Sequence, residues 1–183
     1  MRSLIEGERI ILRRYETEFA PLLCEAALES RGGEFSRWMP WCHENYTFEE
    51  SESFIAKSIE NWKNKTEYDF AIFEAQNNKF AGGVSLNLFN HERGSTNLGY
   101  WVRTSSQNRG VANTAARLLA KSGFEDLELN RIEIAAAIEN YASQKTAEKS
   151  GATREGVLRQ LLSIGGRQHD AAVFSFIRED FNL

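Results

Sequence analysis

At 183 residues, with 42% hydrophobic and 26% charged side chains, the chain is long enough for one domain with a sizeable core, expected over residues 1–183. Its net charge of −4, with no basic stripe, argues against nucleic acid as a direct partner, and no apolar run nears the ~20 residues of a membrane span. Glu6, Glu8 and Arg9 interrupt any signal-peptide core, and Cys24 and Cys42 make neither a disulfide framework nor metal-ligand spacing, so a reducing cytoplasm and no metal are expected.

Glu8–Arg14 alternates, with Ile10 and Leu12 on one face and Arg9, Ile11 and Arg13 on the other, and predicts an opening strand. Thr17 and Pro21 open a helix through Leu28 that Gly32 and Gly33 close. Residues 35–41, running from Phe35 through Trp38 and Pro40 to Trp41, are too short and irregular for a sheet core and read as an aromatic-rich loop. Thr47 and Glu50 form a capping box for a helix with Phe54, Ile55, Ser58, Ile59 and Trp62 on one side. Asp69–Glu74 and Lys79–Asn87 read as the strands of a hairpin turning at Gln76, Asn77 and Asn78. A polar loop, Asn90–Asn97, carries His91, Glu92 and Gly94.

The most informative stretch runs from Gly99 to Asn113. Tyr100, Trp101 and Val102 are wide, stiff side chains suited to a buried strand. A polar turn follows, and from Gly110 the rhythm becomes helical, with Val111, Ala115, Leu118, Leu119 and Ser122 on one face of a helix ending near Asp126. The first amides of such a helix have no acceptor within it, and its dipole is positive there, so strand, turn and helix together make a cradle for a phosphate. Gly110 lets the backbone come close to a ligand, and Arg109 adds a positive charge. There are too few glycines for a dinucleotide fingerprint, and no Gly-Lys-Ser/Thr follows as a nucleotide P-loop requires.

Arg131–Ile138 is a second buried strand, and a right-handed crossover from Tyr100 makes the pair parallel. Asn140 caps a short helix that reaches Ser150 and stops at Gly151. Thr153–Ile164 and His169–Arg178 close the chain as two strands around Gly165-Gly166. The fold class expected is α/β (α+β): a mixed, mostly antiparallel sheet of about seven strands, a central parallel pair, and helices on both faces.

The spacing Gln107-x-x-Gly110-x-Ala112 after a Tyr-Trp strand resembles the pyrophosphate loop of the GNAT N-acetyltransferases. Further segments, in the correct order, are similar to the RimJ/RimL-type branch of that family, the ribosomal-protein N-terminal acetyltransferases. They are Arg9–Arg13, Trp38-Met39-Pro40-Trp41 before a capped helix, Leu129–Ile134, Asn140-Tyr141-Ala142-Ser143, Glu148–Ala152, Gly156–Arg159 and Arg178–Phe181. The resemblance implies the GNAT fold, with its two central strands splayed apart, and acetyl-coenzyme A as co-substrate. It places the pyrophosphate on Gln107, Asn108, Arg109, Gly110, Val111 and Ala112. The pantetheine arm would lie along the backbone of Trp101, Val102 and Arg103, with Asn140 opposite. Ser143 would protonate the departing thiolate, and Trp38, Trp41 and Tyr100 would line the acceptor side. Dimers are usual for proteins of this kind, so a homodimer is expected.

Two departures bear on the chemistry. Family members often carry Glu two residues before the Gly-Tyr of the central strand, where this chain has Asn97; some carry an acid just after the strand, where it has Arg103 and Thr104. Ser150 and Ala152 also stand where Leu and Phe are usual. Acetyl transfer to an amine needs a neutral nitrogen, a donor for the developing oxyanion and a proton for the leaving thiolate. About a tenth of an α-amine is neutral at pH 7, against roughly a few hundredfold less of a lysine, so an N-terminal acceptor suits a site without a central carboxylate. Glu92, in the loop before the central strand, is the expected base, with His91 as an alternative; Glu133, between Ile132 and Ile134, reads as structural. The activity expected is transfer of acetyl to a protein N-terminal α-amine. A small amine such as a polyamine or aminoglycoside, or a silent coenzyme A-binding module, are the alternatives.

Overall fold

Side chains alternate along a strand, and that alternation sorts this chain into two faces of one sheet. In a computed structural model describing residues 1–183, the strands are β1 (Leu4–Glu6), β2 (Ile10–Arg14), β3 (Tyr68–Glu74), β4 (Phe80–Asn90), β5 (Ser95–Val102), β6 (Arg131–Ala137), β7 (Thr153–Ile164) and β8 (Arg167–Ile177). Their order in the sheet is β1-β2-β3-β4-β5-β6-β8-β7. Every neighbouring pair is antiparallel except β5–β6, which is parallel, as the crossover predicts. The helices are α1 (Ala20–Ser30), α2 (Gly33–Trp38), α3 (Phe48–Asn64), α4 (Val111–Asp126) and α5 (Tyr141–Ser150). None of them is long and apolar enough to cross a membrane.

The parallel pair is short. Only Ser95↔Arg131, Thr96↔Ile132 and Asn97↔Glu133 are in register. Beyond them β5 stays paired with β4, and β6 with β8, so Leu98–Val102 and Ile134–Ala137 diverge from each other. This is the expected splay.

On one face Leu12, Phe70, Val84, Leu98 and Ile132 pack with Ala115, Leu119 and Ala120 of α4 and Ala147 of α5, in a cluster of 25 buried residues. The opposite face, under α1 and α3, holds a cluster of only 8, including Tyr15, Ala71, Phe73 and Ile55. At about 1.5–3 kcal/mol per large apolar side chain buried, the α4/α5 face carries most of the hydrophobic stabilisation. The thinner α1–α3 face has room for a cleft.

Three elements differ from the sequence expectation. β1 is an added strand of three residues, with only Ile5 buried, too short for periodicity to register. Residues 33–38 are helical where an aromatic loop was expected. The Ser36 hydroxyl accepts from Gly32 N and donates to the Cys42 carbonyl, so non-local bonds close that turn. β5 begins at Ser95, which confines the preceding turn to residues 91–94. The capping box of α3 is formed as read, with Thr47 N donating to Glu50 at 2.8 Å.

Candidate active site

β5 leaves the sheet at Val102, and one tight turn, Thr104–Ser106, carries the chain towards α4. Asn108 (φ +59°) and Gly110 (φ +78°) are both left-handed, a conformation that Asn tolerates and Gly adopts freely. The amides from Asn108 to Asn113 find no acceptor in the protein; the first is Thr114 N, which donates to Gly110 O at 3.1 Å. The loop is pinned from beneath by Glu74, 7% exposed, which accepts from Ser106 Oγ (2.9 Å) and from Arg109 (3.1 Å). Gln107 Nε2 folds back to the Val102 carbonyl at 3.2 Å. Arg9 donates to Arg109 O at 3.1 Å, and its other terminal nitrogen lies 3.8 Å from the point where a Gly110 Cβ would stand. A cavity of about 400 Å³ lies among Arg9, Glu74, Arg109, Gly110 and Thr114. Arg9 is thus a second cation at the helix mouth. The sequence showed it only as a strand residue, a hundred positions away from its partner.

The gap edge of β5 follows from hydrogen-bond alternation. Arg103 N donates to Ala81 O at 2.9 Å, so Trp101 and Arg103 turn their amides towards β4, while Tyr100 and Val102 turn theirs towards the gap. Arg103 is therefore corrected as a cofactor contact. Its amide is taken, and its guanidinium, 5% exposed, donates to Glu25 (2.7 Å), Glu29 (2.8 Å) and the Phe80 carbonyl (3.3 Å). Burial pushes the Glu29 carboxyl upward, but hydrogen bonds from Arg103 and Ser105 outweigh it and hold it below the usual range. Arg103 ties α1 to the end of β5. The Trp101 amide is corrected likewise, and Val102 is the expected backbone contact that faces the gap.

Across the gap, Asn140 caps α5 by accepting from Ser143 N at 3.0 Å. The Tyr100 hydroxyl donates to Ser143 O at 2.9 Å and lies 3.2 Å from Ser143 Oγ. Burial, partly offset by this Ser143 contact, pushes the Tyr100 hydroxyl up to about 12, so it stays a neutral donor. Tyr100 was expected among the acceptor residues. It lines the cleft, and alternation with Trp101 turns its ring towards the α4/α5 face, where it bridges β5 to α5 and orients Ser143.

On the α1–α3 side a cleft of about 690 Å³ reaches the gap and takes in Ser143 and Asn140. Trp38 and Trp41 line it. Trp41 meets Trp101 edge-on at 5.2 Å, and Trp38 reaches across to His169 of β8 at 5.9 Å. The register Asp69↔Ser85↔Gly99 sets these three in a row on the same face as Trp101. Asn97 donates to Asn87 at 2.8 Å and Asn87 to Ser85 Oγ at 3.1 Å, so amides stand where the family often has a carboxylate.

The cleft does contain a carboxylate, Asp69. It is 7% exposed; Trp62 Nε1 donates to its backbone carbonyl at 3.0 Å, and Ser58 on α3 favours its ionised form. Burial first, and then the charge of Glu67, raise it from 3.8 to about 6. Beside it the Tyr15 hydroxyl, on a residue 1% exposed, has no partner. A Cβ on Gly83 would stand 2.9 Å from Tyr15 Oη and 2.5 Å from Trp101 Nε1, so two donors converge above bare backbone. Sequence reasoning missed Asp69. Its signal was an acid directly before the apolar run Phe70–Phe73, in a strand where every residue is buried. Glu92, the expected base, is exposed in the β4–β5 turn and does not line the cleft. That turn lies at the paired end of β5, away from the splay, so the assignment is corrected. His91 stacks on Phe89, and Glu133 pairs with Arg131 at 2.7 Å, a structural role.

The acetyltransferase (GNAT) domain model matches residues 9–153. The chain is 27% identical over 178 residues to "Putative ribosomal N-acetyltransferase YdaF" of Bacillus subtilis, covering 96% of this chain and 94% of the relative. Among solved structures, one described as a "putative ribosomal-protein-serine acetyltransferase from Vibrio cholerae" superposes with a TM-score of 0.84 at 31% identity, covering 97% of this chain and 99% of that one. RimL, a ribosomal α-N-protein acetyltransferase solved in complex with coenzyme A, shares the fold with a TM-score of 0.81 at 22% identity, covering 95% and 97%.

Proposed function

Because the chain belongs to the acetyltransferase (GNAT) family, in its RimJ/RimL-type branch, we propose that it transfers acetyl from acetyl-coenzyme A to the α-amine of a protein N-terminus, with a ribosomal protein the leading acceptor. The observation that carries this reading is an alignment of three features: an amide cradle at α4, a gap edged by Val102, and Ser143 at the mouth of α5. The acceptorless amides from Asn108 to Asn113, with Arg109 and Arg9 beside them, fit a diphosphate. Val102 N–H and the Asn140 amide nitrogen would hold the pantetheine arm, and the thioester would lie where the cleft meets the gap. Attack by the amine forms the C–N bond directly in a ternary complex; as the C–S bond breaks, Ser143, oriented by Tyr100, supplies the thiolate proton. Glu50, Glu67 and Asp69 around the aromatic walls also suit a polyamine, the second reading. The proposal extends to a cytoplasmic homodimer; support for the dimer comes from Val157, Leu158 and Leu161, exposed on the edge strand β7.

The test is thiol release from acetyl-coenzyme A with peptides bearing free or blocked α-amines, and with polyamines and aminoglycosides. Turnover confined to free α-amines is the expected result. Tight coenzyme A binding with turnover on none of them would refute enzymatic transfer and leave a binding module.

A further inference from the structure

The acetyl-transfer reading leaves one step without a residue: removal of a proton from the acceptor ammonium, for which Asn97 offers only an amide. We propose that Asp69 is the general base of this site, and that Tyr15 Oη–H and Trp101 Nε1–H hold the carbonyl oxygen next to the amine it deprotonates. This deepens the acetyl-transfer reading and rests on it.

Position argues first. Asp69, Ser85 and Gly99 share a row across β3, β4 and β5, and Gly99 keeps that row open at the strand that edges the gap. The Asp69 carboxylate borders the cleft from the acceptor side, opposite the cradle. Satisfaction argues second. A buried polar group without a partner is costly, yet the Tyr15 hydroxyl beside Asp69 has no partner at all. Trp101 Nε1 shares with Tyr15 Oη the point above Gly83, where any side chain would collide with both. One anionic acceptor beside two converging donors complements an α-ammonium followed by a peptide carbonyl. A polyamine has no such oxygen.

The groups facing Asp69 define its charge state. Lys57 and Ser58 on α3 favour the carboxylate and Glu67 opposes it; Tyr15 stands beside it from the end of β2, Ser85 is its neutral partner on β4, and Glu50 and Tyr46 lie on the cleft wall. With a value near 6, the carboxylate is ionised at neutral pH and basic enough to accept a proton.

The step balances. R–NH3⁺ gives one proton to the Asp69 carboxylate, and the freed lone pair forms the C–N bond to the thioester carbonyl carbon. The C–S bond breaks, the thiolate takes the Ser143 proton, and the second ammonium proton leaves the nitrogen to restore the serine through water. The products are R–NH–acetyl, the coenzyme A thiol and one proton, which Asp69 returns to solvent.

The experiment compares wild type, Asp69→Asn, Asp69→Ala and Tyr15→Phe as full chains, using acetyl-coenzyme A with a serinyl peptide amide and with an alkylamine lacking the carbonyl. Asp69→Asn should lower kcat roughly a hundredfold or more, leave the KM for acetyl-coenzyme A unchanged, and abolish the acidic limb of the pH–rate profile near 6. Asp69→Ala should regain turnover with added formate or imidazole. Tyr15→Phe should raise the KM for the peptide several-fold and leave that for the alkylamine alone. If Asp69→Asn turns over within threefold of wild type with its acidic limb intact, the base assignment fails while acetyl transfer stands. Failure of wild type on every amine overturns both.

Discussion

A base held in a dry cleft should cost the fold something, and Asp69→Asn measures that cost. The substitution keeps the shape and removes the charge. Asp69 is 7% exposed, and its folded-state value near 6 stands above the ordinary 3.8, a rise worth roughly 3 kcal/mol as an upper bound. Relaxation of the surrounding groups on ionisation brings that to about 2 kcal/mol. The sign follows from the direction of the rise. A group whose folded value is raised is penalised only when ionised, so the penalty is absent below the unfolded value of 3.8, grows as pH increases, and is complete above about 6. The Asn variant should therefore be more stable than wild type by about 2 kcal/mol at pH 8, a gain in Tm of roughly 4–8 °C for a chain of this size. The gain should vanish by about pH 4. Thermal and urea unfolding across that range read it directly. A difference that does not change with pH, or a loss of stability at pH 8, would show that the carboxylate is satisfied in the fold and refute the argument.

Gly110→Ala forces a side chain into φ +78° and puts its Cβ 3.3 Å from Asn113 Oδ1. It should cost about 1 kcal/mol of stability and weaken coenzyme A binding by roughly tenfold or more in calorimetry; an unchanged Kd would mean that the phosphates lie elsewhere. Ser143→Ala should lower kcat at least about tenfold while moving the coenzyme A Kd less than about threefold, and the reverse pattern would make Ser143 a binding contact only. Arg103→Ala leaves Glu29 without its buried partner and should cost about 3 kcal/mol, read as a fall in Tm. Coenzyme A affinity should be unaffected, and a large loss of it would return Arg103 to the cofactor site.

Elements whose cause is local were legible before any coordinates. The capping box at Thr47 and Glu50, the Asn140 cap and the helix that starts after Gly110 each rest on residues within one turn of each other. What was hidden depends on which strands become neighbours. Asp69 looked like the first residue of an ordinary strand, and only its register with Ser85 and Gly99 brings it to the cleft. Arg103 looked like a backbone contact, until the pairing of its amide with Ala81 turned it towards β4. Glu92 looked well placed because its loop precedes β5, but a parallel pair that is closed at Ser95 and open at Val102 puts the chemistry at the other end. α2 depends on Ser36 reaching Cys42, a bond no periodicity announces.

The divergence of β5 and β6 has a mechanical meaning as well. Within the sheet, the half carrying β1 to β5 and the half carrying β6 to β8 meet through three in-register pairs, and outside it through contacts that include the α4–α5 packing, the Tyr100–Ser143 clasp and Trp38 against His169. Asn97 and Glu133 act as the pivot of a clothes-peg whose jaws end in unzipped backbone. A molecule that bonds to both jaws stiffens the whole protein by mass action, and its departure loosens both halves again. Under the proposed binding, in which the pantetheine arm lies between the two strands, amide exchange along Val102 should follow the catalytic cycle.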